Sequence, residues 1–170
     1  MIDVDRLWSG WRLAYVESTA DEAATADPDD CPFCSITSLG DEESLILERG
    51  EHAYSVLNLY PYNSAHSLVL PYRHVGEYED LTEHELGEIN GLAQRVVRAT
   101  KAEYAPDGFN LGANLGRAAG AGIPKHFHFH VLPRWSGDTN FITVLGATKT
   151  LPEEIDKTHE RLYGRLAEMA

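Results

Sequence analysis

Basic residues, cysteines and long apolar runs are all scarce in this chain of 170 residues. Only 14 Lys and Arg stand against 27 Asp and Glu, so the formal net charge is −13 with histidine neutral. Gripping a nucleic-acid backbone requires clustered Lys and Arg that displace counterions, which makes so acidic a chain a poor candidate for that function. A small anionic ligand needs only a few local donors and is not excluded.

The apolar runs are too short for a membrane protein, because none approaches the ~20 residues that span a bilayer. The first residues include Asp3 and Asp5 and lack the basic and apolar regions of a secretory signal peptide. We therefore expect a cytoplasmic protein without a membrane partner. In a reducing compartment the close pair Cys31 and Cys34 favours metal or redox chemistry over a structural disulfide.

The remaining composition, 43% hydrophobic and 24% charged residues, is that of an ordinary globular protein. The length predicts one domain over residues 1–170, because typical domains contain ~100–200 residues. A run of strands with helices outside the sheet predicts an α+β domain with a mainly antiparallel sheet. The strands are predicted over residues 44–48, 53–59, 67–70, 109–115 and 125–133.

Helices are predicted on both sides of the last two strands. Thr82 and Glu85 form a capping box, in which each side chain satisfies a free N–H near the helix start, and apolar residues follow at helical spacing. This pattern predicts a long helix over residues 82–104. Pro152 favours a C-terminal helix beginning there. An apolar, aromatic segment over residues 7–15 predicts an N-terminal flap that packs on the core or covers a ligand pocket.

The segment from residue 126 to residue 132 alternates histidine with apolar residues. Because side chains alternate between the two faces of a strand, His126, His128 and His130 are predicted to share one face. Phe127 and Phe129 then point towards the core. Packing does not require three imidazoles in a row, so the pattern indicates a metal site, a proton relay or nucleophilic catalysis.

This pattern of three histidines, each followed by an apolar residue, resembles the signature of the histidine triad (HIT) family. Residues 58–74 and 109–116 are similar to the family's upstream segments, and residues 133–141 are similar to its bacterial branch related to diadenosine tetraphosphate phosphorylases. The resemblance covers roughly residues 31–152, which we take as the core of the HIT domain. It implies a HIT-like fold, with a five-stranded, mainly antiparallel sheet under a long helix, and a homodimer.

The resemblance also implies a two-step reaction at the α-phosphate of a nucleoside or dinucleoside polyphosphate, such as diadenosine tetraphosphate. His128 attacks phosphorus and forms a nucleotidyl-histidine, from which water or another acceptor releases the nucleotide; the attacking imidazole must be neutral. His130 lies beside it as a hydrogen-bond donor or acid. Asn114 donates to the α-phosphate. The loop containing Gly120 and Gly122 either adds backbone N–H donors or is a flexible connection.

Further substrate contacts follow from the same resemblance. Asn58 matches the residue that holds the ribose, Leu59 flanks the base, and His66 is expected as a hydrogen-bond partner near His130. Gly122 stands where many relatives carry a polar residue, often Gln, which argues against a dinucleoside triphosphate hydrolase or a phosphoramidase. A phosphoramidase, a nucleotidyltransferase and a nucleotide-binding protein with vestigial activity remain the alternatives, and the sequence does not separate hydrolysis from phosphorolysis.

Two thiolates separated by two residues can bind one metal ion, although a redox pair has the same spacing. The resemblance adds His74 and His126 to Cys31 and Cys34, which implies a closed, structural zinc site, with His66 as the competing fourth ligand.

The sequence also predicts roles for a few residues outside these two sites. Arg134 and Asp138 are predicted to form a turn and an ion pair, Trp135 and Phe141 to stack on a base or pack on a second subunit, and His52, His84 and His159 to lie on the surface.

Overall fold

The computed structural model describes residues 28–140, 143 and 151–169. The flap predicted over residues 7–15 and the predicted stacking residue Phe141 lie outside them. Within the described ranges, no helix is both long enough and apolar enough to cross a membrane.

Five strands form a single sheet with the spatial order β1-β2-β3-β5-β4, and every pairing is antiparallel. The predicted α+β class with a five-stranded antiparallel sheet is therefore confirmed. The last strand in the sequence lies between two others, so the strand that carries His130 is hydrogen-bonded on both sides. The strands are β1 (Ile46–Arg49), β2 (Ala53–Leu57), β3 (Ser67–Pro71), β4 (Gly108–Ala113) and β5 (Phe129–Arg134).

Two short helices, α1 (Pro32–Ser35) and α2 (Asp41–Ser44), precede the sheet, and the long helix α3 (Glu83–Tyr104) connects β3 to β4. The capping box is present, because the Thr82 hydroxyl accepts from the Glu85 N–H and the Glu85 carboxylate accepts from the Thr82 N–H. One face of α3 is buried against β2, β3 and β5 in the main core. Its members include Ile89, Leu92, Ala93, Val96, Val69, Phe127 and Val131.

The opposite face of the sheet has its own buried cluster, which contains Tyr54, Leu68 and Leu70. Phe33, from the segment between the two cysteines, packs against this cluster. The Tyr54 hydroxyl donates to the Phe33 carbonyl over 2.6 Å. The two faces are thus covered by different parts of the chain, with α3 on one and the cysteine segment on the other.

Two elements begin three or more residues later than predicted. Strand β5 begins at Phe129 rather than at residue 125, because the N–H groups of His126 and Phe127 donate to Ile123 and Val75 instead of to a sheet partner. The C-terminal helix α4 (Ile155–Glu168) begins three residues after Pro152. The Glu153 carboxylate accepts from the hydroxyls of Tyr104 and Thr158. These contacts hold the residues that precede α4 against α3.

His159 is not the surface residue that its isolation in the sequence predicted. It is 5% exposed on the inner face of α4, and its Nε2 donates to the carbonyl of Ile46 in β1 over 2.8 Å. His84 is exposed and His52 is half-buried. The position of His159 explains how α4 is held against the β1 edge of the sheet.

Candidate active site

The three histidines predicted to share a face do so, although only His130 lies within β5. Phe127 belongs to the core under α3, whereas the imidazoles lie on the other side, among the residues that precede the sheet. The Phe33 ring contacts two of them, with centroids 5.5 Å from His126 and 5.3 Å from His128. The rings of His128 and His130 are 5.1 Å apart.

The tautomer of His128 is set by the backbone. Its Nδ1 lies 2.8 Å from the carbonyl oxygen of His126, and a carbonyl can only accept, so Nδ1 carries the proton. The other ring nitrogen, Nε2, therefore presents a lone pair. Burial lowers the pKa of His128 below its ordinary value of 6.5, which keeps the imidazole neutral near pH 7. A neutral imidazole with one free lone pair is the form that attacks phosphorus.

The tautomer of His130 is set through His66. The Tyr62 backbone N–H donates to His66 Nδ1 over 3.0 Å, so the proton of neutral His66 is on Nε2. This Nε2–H donates to His130 Nδ1 over 2.9 Å, which leaves the His130 proton on Nε2. His130 Nε2 is buried and has no protein partner among the described residues. An unused buried donor costs about 1–3 kcal/mol, so a ligand oxygen at this atom would be strongly favoured.

The sequence did not predict a role for Tyr62, whose ring contacts the rings of His66 and His130. Its ring is 4.7 Å from that of His66 and stacks over His130 at 5.9 Å with an interplanar angle of 15°. Three aromatic and histidine residues within positions 60–66 were the available signal, but the sequence does not show which of them faces the triad.

Asn58 and Leu59 have different environments. The Asn58 amide lies 3.3 Å from His66 Nδ1, and its Oδ1 accepts from the Tyr60 N–H over 3.0 Å. Both ends of this side chain thus have protein partners, and its predicted contact with a ribose stays a prediction. Leu59 is 61% exposed, and its contact with a base likewise stays a prediction.

The glycine-rich loop contains a short 3₁₀ turn, Arg117–Ala119, between Gly116 and Gly120. Gly116 and Gly120 have φ values of 72° and 91°, a left-handed conformation that residues with a side chain rarely adopt. The Gly120 N–H already donates to the Arg117 carbonyl over 2.9 Å, so in this conformation it is not a free donor for phosphate. Asn114 approaches the same turn, with its Nδ2 3.5 Å from the Gly120 carbonyl. Gly122 is half-buried, and its predicted role stays a prediction.

Both cysteines are free thiols, and they meet two histidines beside the triad. The potential ligand atoms of Cys31, Cys34, His74 and His126 all lie within 4.8 Å of one another. The Nδ1 of His126 is 3.4 Å from the Cys31 sulfur, and the Nδ1 of His74 is 3.4 Å from the Cys34 sulfur. His66 contacts His130 instead and is not part of this cluster.

The chemistry of the cluster fits a cation. His126 Nε2 donates to the Pro71 carbonyl over 2.9 Å, so its Nδ1 presents a lone pair towards the sulfurs, as a metal ligand does. Burial and the neighbouring Cys31 raise the pKa of the Cys34 thiol to about 11. The protein alone therefore disfavours a thiolate at Cys34, whereas a divalent cation would stabilise it.

Comparison with known proteins identifies the family. The HIT domain model matches residues 40–137, more than half of the chain. The chain belongs to the HIT family. This HIT protein is 44% identical over 162 residues to the AP-4-A phosphorylase of Mycobacterium tuberculosis strain H37Rv, an alignment that covers 94% of this chain and 83% of that protein.

Solved structures agree on the fold. A Zn-bound histidine triad family protein from Mycobacterium smegmatis is similar with a TM-score of 0.67 and 24% identity, over 84% of this chain and 97% of that chain. A hypothetical histidine triad nucleotide-binding protein from Sulfolobus tokodaii gives a TM-score of 0.65 and 26% identity, over 82% and 93% of the two chains. These relationships confirm the HIT-like fold and the predicted class of nucleotide hydrolase or transferase.

The buried histidines of this HIT protein make its stability depend on pH. Burial lowers the pKa of His130 to about 4 and that of His66 to about 3, from an ordinary 6.5. In the unfolded chain both take up protons below about pH 6.5. Between that pH and about pH 4 only the unfolded state takes up these protons. The free energy of unfolding should therefore decrease as the pH is lowered, by up to about 2 kcal/mol per histidine at pH 5.

Urea unfolding at pH 7.5, 6 and 5 measures this dependence. His130→Gln removes one titrating group and should make the slope shallower, whereas His84→Gln, which changes an exposed residue, should leave it unchanged. Equal slopes for the parent and His130→Gln would contradict the assignment of His130 as a buried, neutral imidazole.

Proposed function

We propose that this HIT protein cleaves diadenosine tetraphosphate, or a similar dinucleoside polyphosphate, through a covalent nucleotidyl intermediate on His128. The observation that carries the proposal is the pairing of opposite roles on neighbouring rings. His128 presents a lone pair on Nε2, and His130 presents an unused N–H, with ring centroids 5.1 Å apart. A displacement at phosphorus needs a nucleophile that attacks the phosphorus atom and a hydrogen-bond donor to the leaving oxygen.

In the first step, the Nε2 lone pair of His128 forms a bond to the α-phosphorus while the bond from phosphorus to the bridging oxygen breaks. The His130 Nε2–H donates a hydrogen bond to the leaving oxygen, which departs as the polyphosphate anion, and His130 keeps its proton. The carbonyl of His126, which accepts from His128 Nδ1, stabilises the imidazolium that forms. In the second step, an oxygen of the acceptor attacks phosphorus, the bond from phosphorus to His128 Nε2 breaks, and His128 leaves as the neutral imidazole.

Inorganic phosphate is the acceptor that we favour. The support is the 44% identity with the mycobacterial AP-4-A phosphorylase over nearly the whole chain. Diadenosine tetraphosphate would then give ATP in the first step and ADP in the second. Water as the acceptor would give AMP in place of ADP.

The test combines product analysis with replacement of His128. With phosphate present, the parent should convert diadenosine tetraphosphate to ADP and ATP. His128→Ala should lose turnover by about 10⁴–10⁶-fold, the usual cost of removing a covalent nucleophile, while still binding the nucleotide. His130→Ala should lose less, about 10²–10⁴-fold, because a hydrogen-bond donor to the leaving oxygen contributes less.

An acid-labile adduct should map to the peptide that contains His128, as expected for a phosphorus–nitrogen bond. His84→Ala is the matched control, since His84 is exposed on α3 and should retain parental activity. Near-parental turnover of His128→Ala, or an adduct on His126 or His130, would overturn the mechanism. AMP and ATP as the products, with or without phosphate, would keep the mechanism and replace phosphorolysis by hydrolysis.

We also propose that Cys31, Cys34, His74 and His126 hold one structural zinc ion. The support is the four convergent ligand atoms and the lone pair that His126 Nδ1 presents to them. A Cys₂His₂ set leaves no open position, so the ion would supply rigidity rather than an activated water. Its place beside Phe33 would keep the loop that lies against His128 in position.

Metal analysis of protein purified without a chelator should find about one zinc per chain. Cys34→Ser should lose the zinc and unfold at a lower temperature, since structural sites contribute folding energy directly. His66→Gln is the matched control and should retain zinc, because His66 lies outside the cluster. A metal-free parent with an easily formed Cys31–Cys34 disulfide would favour the redox interpretation instead.

We further propose a homodimer that joins two sheets at β4. Strand β4 is an edge of the sheet, and Leu111 and Leu115 are 54% and 48% exposed near it. Trp135 does not support the interface as expected, because it is half-buried and its indole N–H donates to the Tyr104 carbonyl.

Light scattering at micromolar concentration should give twice the mass of one chain for the parent protein, and Leu111→Lys should lower the measured mass. A parent protein that is monomeric under these conditions would contradict the proposal. Cytoplasmic location stays a prediction.

A further inference from the structure

Asp138 is a buried carboxylate that the reaction described above does not use. Its side chain is 7% exposed, and Arg134 donates to it from Nε over 2.6 Å and from Nη2 over 3.0 Å. The Trp135 backbone N–H and the Thr139 hydroxyl also donate to it. These contacts form the local turn and ion pair that the sequence predicted.

One further contact reaches a distant part of the chain. The Asn63 side-chain amide donates to Asp138 over 2.9 Å and to the Pro133 carbonyl over 3.1 Å. Asn63 is 6% exposed and belongs to the loop between β2 and β3, next to Tyr62. The pair therefore ties that loop to the end of β5, the strand that contains His130.

The loop presents two groups that select the tautomers of His66 and His130. The Tyr62 N–H donates to His66 Nδ1, and the Tyr60 N–H donates to Asn58 Oδ1, which turns the Asn58 Nδ2 towards the same His66 nitrogen. If the loop moved away with both N–H groups, His66 could carry its proton on Nδ1. Its Nε2 would then accept from His130 Nδ1, and His130 Nε2 would become a lone pair instead of a donor.

We propose that Asp138 is a positioning residue which, through Asn63, keeps the Tyr62 N–H on His66 and thereby keeps the His130 proton on Nε2. Its importance for turnover rests on the proposed function, in which that N–H donates a hydrogen bond to the leaving oxygen. Its effect on the tautomers does not depend on any substrate.

The experiment records the ring-nitrogen NMR spectrum of the full chain labelled with ¹⁵N-histidine, which distinguishes Nδ1–H from Nε2–H imidazoles. Asp138→Ala and Asn63→Ala each remove the link, from opposite ends. Asp107→Ala is the matched control, because the Asp107 carboxylate accepts from the Ser136 N–H in the same turn and does not contact Asn63. Circular dichroism establishes that each variant is folded.

Both link variants should show a second tautomer for His66 and His130, whereas Asp107→Ala should keep the parental one. With nucleotide substrate, kcat should fall about tenfold in the link variants, less than the full cost of losing the donor, with a smaller change in KM. Asn63→Ala keeps the Asp138–Arg134 ion pair, so it decides the question if Asp138→Ala does not fold.

Two results would overturn the proposal. One is parental tautomers in folded Asn63→Ala, and the other is an equal tautomer shift in Asp107→Ala, which would indicate general loosening of the turn. Failure of the proposed function appears elsewhere, as retained turnover in His128→Ala, and leaves the tautomer measurement valid.

Discussion

Backbone groups with only one possible hydrogen-bonding role determine the chemistry of this protein. A carbonyl oxygen can only accept, and a peptide N–H can only donate. The His126 carbonyl therefore makes His128 protonate on Nδ1, and the Tyr62 N–H makes His66 protonate on Nε2. Imidazole is ambiguous by itself, and these fixed partners remove the ambiguity. One ring therefore presents a lone pair and its neighbour an N–H, although both are the same residue type.

Burial in the interior of the sheet makes those assignments hold near neutral pH. Strand β5 has hydrogen-bonded neighbours on both sides, and the imidazole face is covered by the segment that contains Phe33. Desolvation disfavours the charged imidazolium, which lowers the pKa of His128 and His130 alike. The cost is reduced stability in acid, since the unfolded chain binds protons that the folded chain excludes.

The sequence was sufficient for features that depend on local periodicity. Alternation along residues 126–132 predicted the common face of the histidines, and Thr82 with Glu85 predicted the start of the long helix, which the structure reproduces. Features that depend on distant contacts could not be predicted in the same way. The burial of His159 depends on the Ile46 carbonyl, 113 positions away, and the contact from Asn63 to Asp138 joins residues 75 positions apart.

The predicted role of Gly120 is limited by a more local feature and stays a prediction. A glycine-rich loop suggests free backbone donors, but a donor is free only if the loop does not use it to close its own turn. Here the left-handed Gly120 ends a 3₁₀ turn, and its N–H satisfies the Arg117 carbonyl. The conformational freedom of glycine was recognisable in the sequence, whereas the direction of its N–H was not.

His126 connects the two sites, because it takes part in both through different atoms. Its side-chain Nδ1 faces the cysteine sulfurs, while its backbone carbonyl accepts from His128 Nδ1. Phe33, which lies between the two cysteines in the sequence, packs against both His126 and His128. A displacement of the cysteine cluster would therefore move the carbonyl that selects the His128 tautomer and the ring that excludes water from it. A metal ion bound at this cluster would therefore influence the reaction without taking part in it, because the proposed nucleophile takes its orientation from a residue that would also be a ligand.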